Sequence, residues 1–324
     1  MNRFAWADAR SLQQAIDLSS QDGAVLKAGG VDLLDLLKEG IAEPKQIVNI
    51  RNLQGLDRIT ETADGIAIGP LVTLAQIADN PALRQRYPAL SDAALWAATP
   101  QIRNMATLGG NLAQRPRCWY FRNEDFNCRK KGGTRCFAQD GENQYHAIFD
   151  NRTCAIVHPS GTAVPLVAYG AALELTNGKG KRQVALEKFF ISPEQDVTRE
   201  NILQPGDVIT AIVLPPMQNM RSAYHKEMEK QSFDWPIADV AVVLGQQKAS
   251  VILGAAAPYP YRAKEAEARL SGQAISEQVA AEAAKAAVAS ATPLAKNGYK
   301  VPVFEAVIRR TILKAAGMNK EAQA

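Results

Sequence analysis

The chain lacks most of the features that place a sequence at a glance. No apolar run comes near the roughly 20 residues that cross a bilayer as a helix, so no membrane span is expected. The opening MNRFAWADARSLQQAIDL has no apolar stretch of the leader type. The net charge is only +4 with a pI near 8.8, too weak a basic excess to point to nucleic acid. There is no G-x-G-x-x-G and no G-x-x-x-x-G-K-[ST], which excludes the usual dinucleotide and P-loop signatures. Close C-x₂₋₄-C pairs, the hallmark of zinc fingers and ribbons, are absent, and so is bacterial ferredoxin spacing. No internal repeat or low-complexity tract is visible. Cysteine is sparse, four in 324 residues, far below the density of a disulfide scaffold.

What is present is concentrated. All four cysteines, Cys118, Cys128, Cys136 and Cys154, lie in one segment, with intervening lengths of nine, seven and seventeen residues. That segment is irregular, basic and aromatic, with Arg115, Arg117, Arg122, Arg129, Lys130, Lys131, Arg135 and Arg152 around the thiols. Wide, uneven spacing suits ligands that arrive from different directions, and cations would stabilise an anionic thiolate cluster. Spacing alone leaves a structural zinc ion, an iron–sulfur cluster, two disulfides and free thiols open. His146, His158 and His225 are expected to stay outside a metal site that already has four thiols.

Two glycine pairs flank a first half built of strands and helices. Ala24 to Gly40 reads as strand, glycine turn at Gly29-Gly30, and helix from about Leu33. Strands are expected at Gln46–Ile50, Gly65–Gly69, Ala171–Leu175 and Asp207–Leu214, with a hairpin turn at Asn177-Gly178. Helices are expected at Ser11–Ser20, from Thr73 and at Ser91–Ala98, before the second glycine turn, Gly109-Gly110. Without a Cβ, glycine lets backbone N–H groups converge on an anion, and a helix N-terminus adds partial positive charge. Each pair taken singly also fits a plain structural turn. Pro215-Pro216 marks the expected domain boundary. Beyond it, strands near 222–226, 237–244 and 250–257 precede helices near 275–289 and 303–316, the order of an α+β domain with helices on one face of an antiparallel sheet. Lys320 to Ala324 reads as a frayed tail. Lys226 would by default be a solvated strand lysine, and Asp32 and Asp239 caps or turn residues.

Taken together the motifs resemble a known family. Lys27-Ala28-Gly29-Gly30-Val31-Asp32 is similar to the first FAD motif, usually AGGTD, of the flavin subunits of the xanthine dehydrogenase and molybdenum hydroxylase family. Ile102-Arg103-Asn104-Met105-Ala106-Thr107-Leu108-Gly109-Gly110-Asn111-Leu112 is similar to the second, and Lys226 with Ala238-Asp239-Val240-Ala241 to a later segment. The cysteine segment, with Cys118-Trp119-Tyr120-Phe121-Arg122 and Lys131-Gly132-Gly133, resembles the subset that also carries a [4Fe-4S] cluster, most closely the bacterial aldehyde dehydrogenase/oxidase group. The benzoyl-CoA-type reductases are the nearer alternative.

The resemblance implies a mixed α/β and α+β chain: a two-subdomain PCMH-like FAD-binding domain over 1–216 with the [4Fe-4S] loop at 115–155, then a small C-terminal domain over 217–324. It implies that Leu26, Lys27, Ala28, Gly29, Gly30, Val31, Asp32 and Leu33 hold the FAD pyrophosphate. Thr107, Gly110 and Asn111 would touch its phosphate and ribityl region, with Ala97 and Ala98 nearby, and Leu214 or its neighbour Val213, with Lys226, would approach the flavin. Cys118, Cys128, Cys136 and Cys154 would bind the cluster. Members often carry Asp where this chain has Gly161, so that flavin contact would fall to backbone. No acid–base pair is expected to be catalytic. The implied partners are a molybdopterin-binding large subunit, a [2Fe-2S] small subunit and an external electron acceptor. With no leader-type stretch at the start, the cytoplasm is the expected compartment, or the periplasm by co-export on a partner's signal. The rival from another class is a zinc-stabilised, non-enzymatic interaction protein.

Overall fold

The computed structural model describes residues 1–63, 65–230 and 233–318. The tail read as frayed lies outside them. Three sheets carry the chain. The first is a three-stranded parallel sheet in the order Ala5–Asp8, Gln46–Asn49, Ala24–Lys27. Parallel neighbours need crossovers, and the helices Leu12–Ser19 and Val31–Lys38 supply them. Ser11 starts the first helix by accepting from the Gln14 N–H. Gly30, at φ 79°, starts the second two residues earlier than the sequence pattern indicates. That left-handed conformation is one a side chain resists.

The second sheet is antiparallel, in the order Ile59–Thr62, Gly65–Ile68, Val208–Leu214, Ala172–Asn177, Gly180–Ala185. Its outer strands are largely polar, ITET and GKRQVA, which hides them from a search for apolar alternation. The helices Leu74–Asp79, Pro88–Leu95 and Ala163–Ala168 cover the inner face, burying Ile66, Leu90, Leu166, Leu173 and Ile212. The second glycine pair lies in a short helix, Leu108–Leu112, rather than an open loop, with Thr107 as its cap.

The third sheet is antiparallel, in the order Tyr261–Arg262, Ala249–Gly254, Pro236–Leu244, Arg221–Met228. The helices Glu277–Val288 and Lys300–Ala315 pack on one face over Ala223, Val240, Val242 and Leu253. The alternate residues Tyr224, Ala241, Val243 and Ile252 join the core of the second sheet. Both faces are covered, which explains the unbroken apolar run from Val240 to Leu244. Among the described residues no helix is long and apolar enough to cross a membrane.

The cysteine segment runs along the seam between these layers. Its regular structure is one 3₁₀ turn, Arg129–Lys131, and a bridge between Cys128 and Arg135. The Ile148 and Phe149 N–H groups bond to the Ala256 carbonyl, and Lys300 Nζ and Asn297 Nδ2 both donate to the His146 carbonyl. The segment is thereby fastened to the C-terminal sheet and its longest helix.

Candidate functional site: a glycine-lined cleft and a cysteine cage

A cavity of about 810 Å³ opens between the first sheet, the helices that cover the second sheet and the third sheet, within the size range of small-molecule and cofactor sites. The eight residues from Leu26 to Leu33 line it, and so do Ala97, Ala98, Thr107, Gly110, Asn111, Gly161 and Lys226. Leu214 does not. Its side chain is buried in the core between the second and third sheets, and its carbonyl sits where a Cβ at Gly65 would fall, 1.9 Å away. On its strand Ile209, Ile212 and Leu214 join this core while Val208 packs with the first sheet's cluster, the register shifting between the pairs of Ala211 and Ile209, and Leu214 belongs to the packing.

The two glycine motifs touch. A Cβ at Gly29 would lie 2.0 Å from the Met105 carbonyl oxygen, so the first turn needs glycine to pass the second. A Cβ at Gly110 would meet only the Thr107 hydroxyl, at 3.1 Å, and would otherwise project into the cleft. Asn111 Oδ1 accepts from the Ser160 and Thr162 hydroxyls, both at 2.6 Å. That assigns the acceptor end of the amide and leaves its NH₂ as the donor it can present. Ala98 holds a positive φ of 43°, and its carbonyl accepts from Arg103 at 2.7 Å.

Lys226 is tied rather than solvated, with Nζ donating to the Trp96 carbonyl at 3.0 Å and the Asp234 carbonyl at 2.6 Å. Burial holds its pKa below the usual lysine value, against the pull of Asp239 and Asp234. Trp96 and Trp235 flank the cleft and are about half exposed, 51% and 52%.

Asp32 is neither a cap nor a free turn residue. Its Oδ1 accepts from Arg117 Nη1 and, at 2.7 Å, from Arg122 Nη2, and its Oδ2 from the Arg115 backbone N–H at 2.8 Å. Burial pushes its carboxyl up, but Arg117, the Arg115 N–H and Arg122 outweigh that and hold it below the usual range. The first glycine turn is thus fastened to the cysteine segment. Sequence reasoning placed Arg115 and Arg117 near the thiols; both also line the cleft.

The four cysteines surround a second, small cavity of about 10 Å³, together with Tyr120, Phe137, His146, Arg129 and Lys130. All four are free thiols, which removes the disulfide alternative here. The Cys154 thiol, hydrogen-bonded to Cys136, brings Cys136 down to about 6 and is itself raised; the Ala155, Ala138 and Gln139 N–H groups also favour the Cys136 thiolate. Burial raises Cys118 to about 12. Among the described residues no three His, Cys, Asp or Glu side chains close around a single ion position. His146, left aside by the sequence reading, stands against the cage with Nε2 3.2 Å from Cys118 Sγ. Burial and then Lys300 depress its pKa to about 4, so it is neutral near pH 7.

Cage and cleft share a buried ion pair. Lys130 Nζ lies 2.7 Å from Glu200 Oε1, with side chains 1% and 6% exposed. Glu200 also accepts from Arg115 Nε and Nη2, both at 3.1 Å. Lys130 lines the cage and Arg115 the cleft. Nothing in the sequence pairs Glu200 with either.

Residues 2–217 match the FAD binding domain in molybdopterin dehydrogenase, and residues 223–315 the CO dehydrogenase flavoprotein C-terminal domain. The aldehyde oxidoreductase FAD-binding subunit PaoB of Escherichia coli K12 is 33% identical over 310 residues, 94% of this chain and 95% of that protein. The carbon monoxide dehydrogenase medium chain of Hydrogenophaga pseudoflava is 25% identical over 322 residues, 96% of each. The solved carbon monoxide dehydrogenase from the same organism superposes with a TM-score of 0.76 over 98% of each chain, at 25% identity. The chain belongs to the family of FAD-binding flavoprotein subunits of the molybdopterin dehydrogenases.

Proposed function

We propose that this chain is the electron-transfer subunit of a heterotrimeric molybdenum enzyme that oxidises aldehydes to carboxylic acids, and that it carries a [4Fe-4S] cluster beside its FAD. The observation that carries the reading is the interlock of the two sites. The turn of the FAD motif, through Asp32, and the cleft residue Arg115, through Glu200, are both bonded to the segment that holds the four thiols. The 33% identity to an aldehyde oxidoreductase subunit favours aldehydes as the substrate class. Oxidation would occur on a molybdopterin-binding large subunit. Electrons would arrive through a [2Fe-2S] small subunit and leave to an external acceptor.

In this reading the backbone from Leu26 to Leu33 and the N-terminus of the Val31–Lys38 helix hold the FAD pyrophosphate, since the helix has no side-chain cap at Gly30 and its N-terminus carries partial positive charge. Thr107, Gly110 and Asn111 face the phosphate and ribityl region, with Ala97 and Ala98 alongside. Gly161 and Lys226 stand nearer the ring. When bound, FAD exchanges one or two electrons, and the protein's part is to position it, shield it and set its surroundings.

The fit of a cluster is one of donor chemistry: four thiols, N–H groups of Ala155, Ala138 and Gln139 directed at Cys136, and the buried cation of Lys130. Such groups stabilise a thiolate cluster. A four-iron cluster would require the thiols to turn outward from their present small cavity. Domains of 1–216 and 217–324 accompany this reading.

The test is an absorption spectrum with iron, zinc and flavin analysis of the complex purified without oxygen. Flavin bands with a broad iron–sulfur shoulder are expected, with about four irons beyond those of the [2Fe-2S] small subunit; iron no higher than that small subunit supplies would also end the cluster assignment. Zinc in place of iron would end the cluster assignment, and a colourless protein would end both.

A further inference from the structure

A buried carboxyl in the third sheet has no part in the sites above. Asp239 is 1% exposed, and its Oδ1 has no hydrogen-bond partner in the structure among the described residues. Its Oδ2 accepts from the Tyr224 hydroxyl at 2.9 Å. Tyr224 is itself 3% exposed, yet it lines the cleft, as does Gly161. A Cβ at position 161 would lie 3.2 Å from the Tyr224 hydroxyl oxygen and 3.9 Å from Asp239 Oδ2. The missing side chain therefore keeps the tyrosine hydroxyl uncovered on the cleft side, with the carboxyl directly behind it.

Two lysines stand near this carboxyl, and the hydrogen bonds they donate go elsewhere. Lys226, opposite Asp239 in the strand register, donates to the Trp96 and Asp234 carbonyls. Lys300, from the long helix, donates to the His146 carbonyl at 3.1 Å and the Ala255 carbonyl at 2.6 Å. The third neighbour, Gly254, brings only backbone. Asp92 and Lys314, paired with each other at 3.4 Å, lie on the far side of Tyr224. Asp239 thus has a single hydrogen bond for a buried charge. Leaving a buried carboxylate so poorly satisfied favours its neutral form. Burial raises it to about 6 against the opposing pull of Tyr224, Lys226 and Lys300, so it can gain and lose a proton near neutral pH.

We propose that Asp239 and Tyr224 are a proton-holding pair for the flavin, opened to the cleft by the glycine at position 161. The proposal rests on the FAD reading of the cleft and deepens it. Reduction by one-electron iron–sulfur donors delivers two electrons and no hydrogen, so at least one proton must come from the protein or from water. In the protonated state the carboxyl donates to the tyrosine oxygen and the phenol O–H is free to point past Gly161. On hand-off the phenol O–H breaks toward the cleft and the carboxyl proton moves to the tyrosine oxygen. Asp239 is left as a carboxylate accepting from Tyr224, the arrangement seen here. Reoxidation by the acceptor releases the proton, and the pair recharges. No electrons pass through either residue. Tyr224 is the group that would face the cofactor; Asp239 acts through it.

The experiment uses the intact complex with flavin content measured first. Flavin bleaching by titanium(III) citrate, a donor that carries no hydrogen, is followed against pH in H₂O and D₂O. The redox-difference infrared spectrum is recorded in parallel. In the native protein the rate is expected to fall as pH rises from 6 toward 8, with a solvent isotope effect, and a protonated-carboxyl band is expected to disappear on reduction. Asp239→Asn should lose that band, flatten the pH profile and slow bleaching on the order of 10²-fold. Tyr224→Phe keeps the ring packing, should slow bleaching similarly, and decides the matter if the Asn variant does not fold. Flavin-replete Tyr224→Phe protein that bleaches at the native rate with the native profile overturns the pair. Native complex without flavin would instead overturn the FAD reading.

Discussion

Asp32 of the first glycine turn and Arg122 of the cysteine segment lie 90 positions apart in sequence and meet through a hydrogen bond of 2.7 Å. Arg117 shares the same carboxylate oxygen, and all three side chains are less than a quarter exposed. Asp32→Asn keeps the shape and removes the charge, leaving the Arg117 guanidinium without its anion and Arg122 with only the half-exposed Asp35. A loss of about 3 kcal/mol is expected, read as a lower midpoint in urea. The acid limb gives an independent check. Asp32 is held below its ordinary value in the fold, so its contribution is fully present above the usual carboxylate range, around pH 4, and is lost as pH falls through the depressed native value. The Asn variant should show a shallower fall in stability across that acid window than the native protein.

The two glycine motifs make opposite predictions about why glycine is there. Gly29→Ala drives a Cβ to 2.0 Å from the Met105 carbonyl oxygen. Neither backbone can yield cheaply, so a destabilisation of about 2–4 kcal/mol is expected together with flavin loss. Gly110→Val projects mainly into the cleft. It should leave the unfolding free energy from urea titration within about 1 kcal/mol of native and still lower flavin occupancy. Full flavin occupancy in the Val variant would remove Gly110 from the binding surface.

Much of the site was legible because chemistry of one kind was confined to one place. Four cysteines in a single segment announced a cage, and the paired glycine motifs announced the cleft they line. What was not legible depends on side chains that meet only after folding. Glu200 carries no motif, yet it stands between Lys130 and Arg115. Asp239 sits inside a recognisable strand, but its isolation from hydrogen-bond donors is a property of the packing. Leu214 points into the core rather than the cleft, and simple alternation does not place it, because the register shift beside Thr210 puts Val208 and Ile212 in different clusters. The polar outer strands of the second sheet escaped because edge strands need no apolar face.

Glu200→Gln removes the anion from a nearly dry pair while Lys130 stays buried. Lys130 keeps its bond to the Val197 carbonyl at 2.9 Å, but its charge is unpaired, and a loss of about 3–5 kcal/mol is expected. If the pair fastens cage to cleft, iron and flavin contents should fall together. Loss of flavin with the metal retained would show that Glu200 serves the cleft alone.

Cys128→Ser tests the cage most directly. The side chain is 7% exposed and close in size to its replacement, so the fold should survive. Serine is a poor ligand for a soft metal centre. Iron content should drop well below the native complement while flavin stays bound. Iron unchanged from native would remove Cys128 from the ligand set.

Lys300 offers a stability signature with a defined sign. Its side chain is wholly buried, with Nζ on the His146 and Ala255 carbonyls. Burial lowers its pKa to about 7, only partly opposed by Asp239. An unfolded lysine titrates near 10.4, so between these values the unfolded chain holds more protons than the native one. Stability from this group must therefore rise with pH across that window, by up to about 1 kcal/mol per unit. The useful range ends near pH 8.5, where unfolded cysteine thiols begin to ionise and oppose the trend. Lys300→Met should be less stable throughout, because two buried carbonyls lose their donor. Its urea midpoint between pH 7 and 8.5 should also lack the native upward slope. A variant that keeps the native slope would show that Lys300 is already charged in the fold.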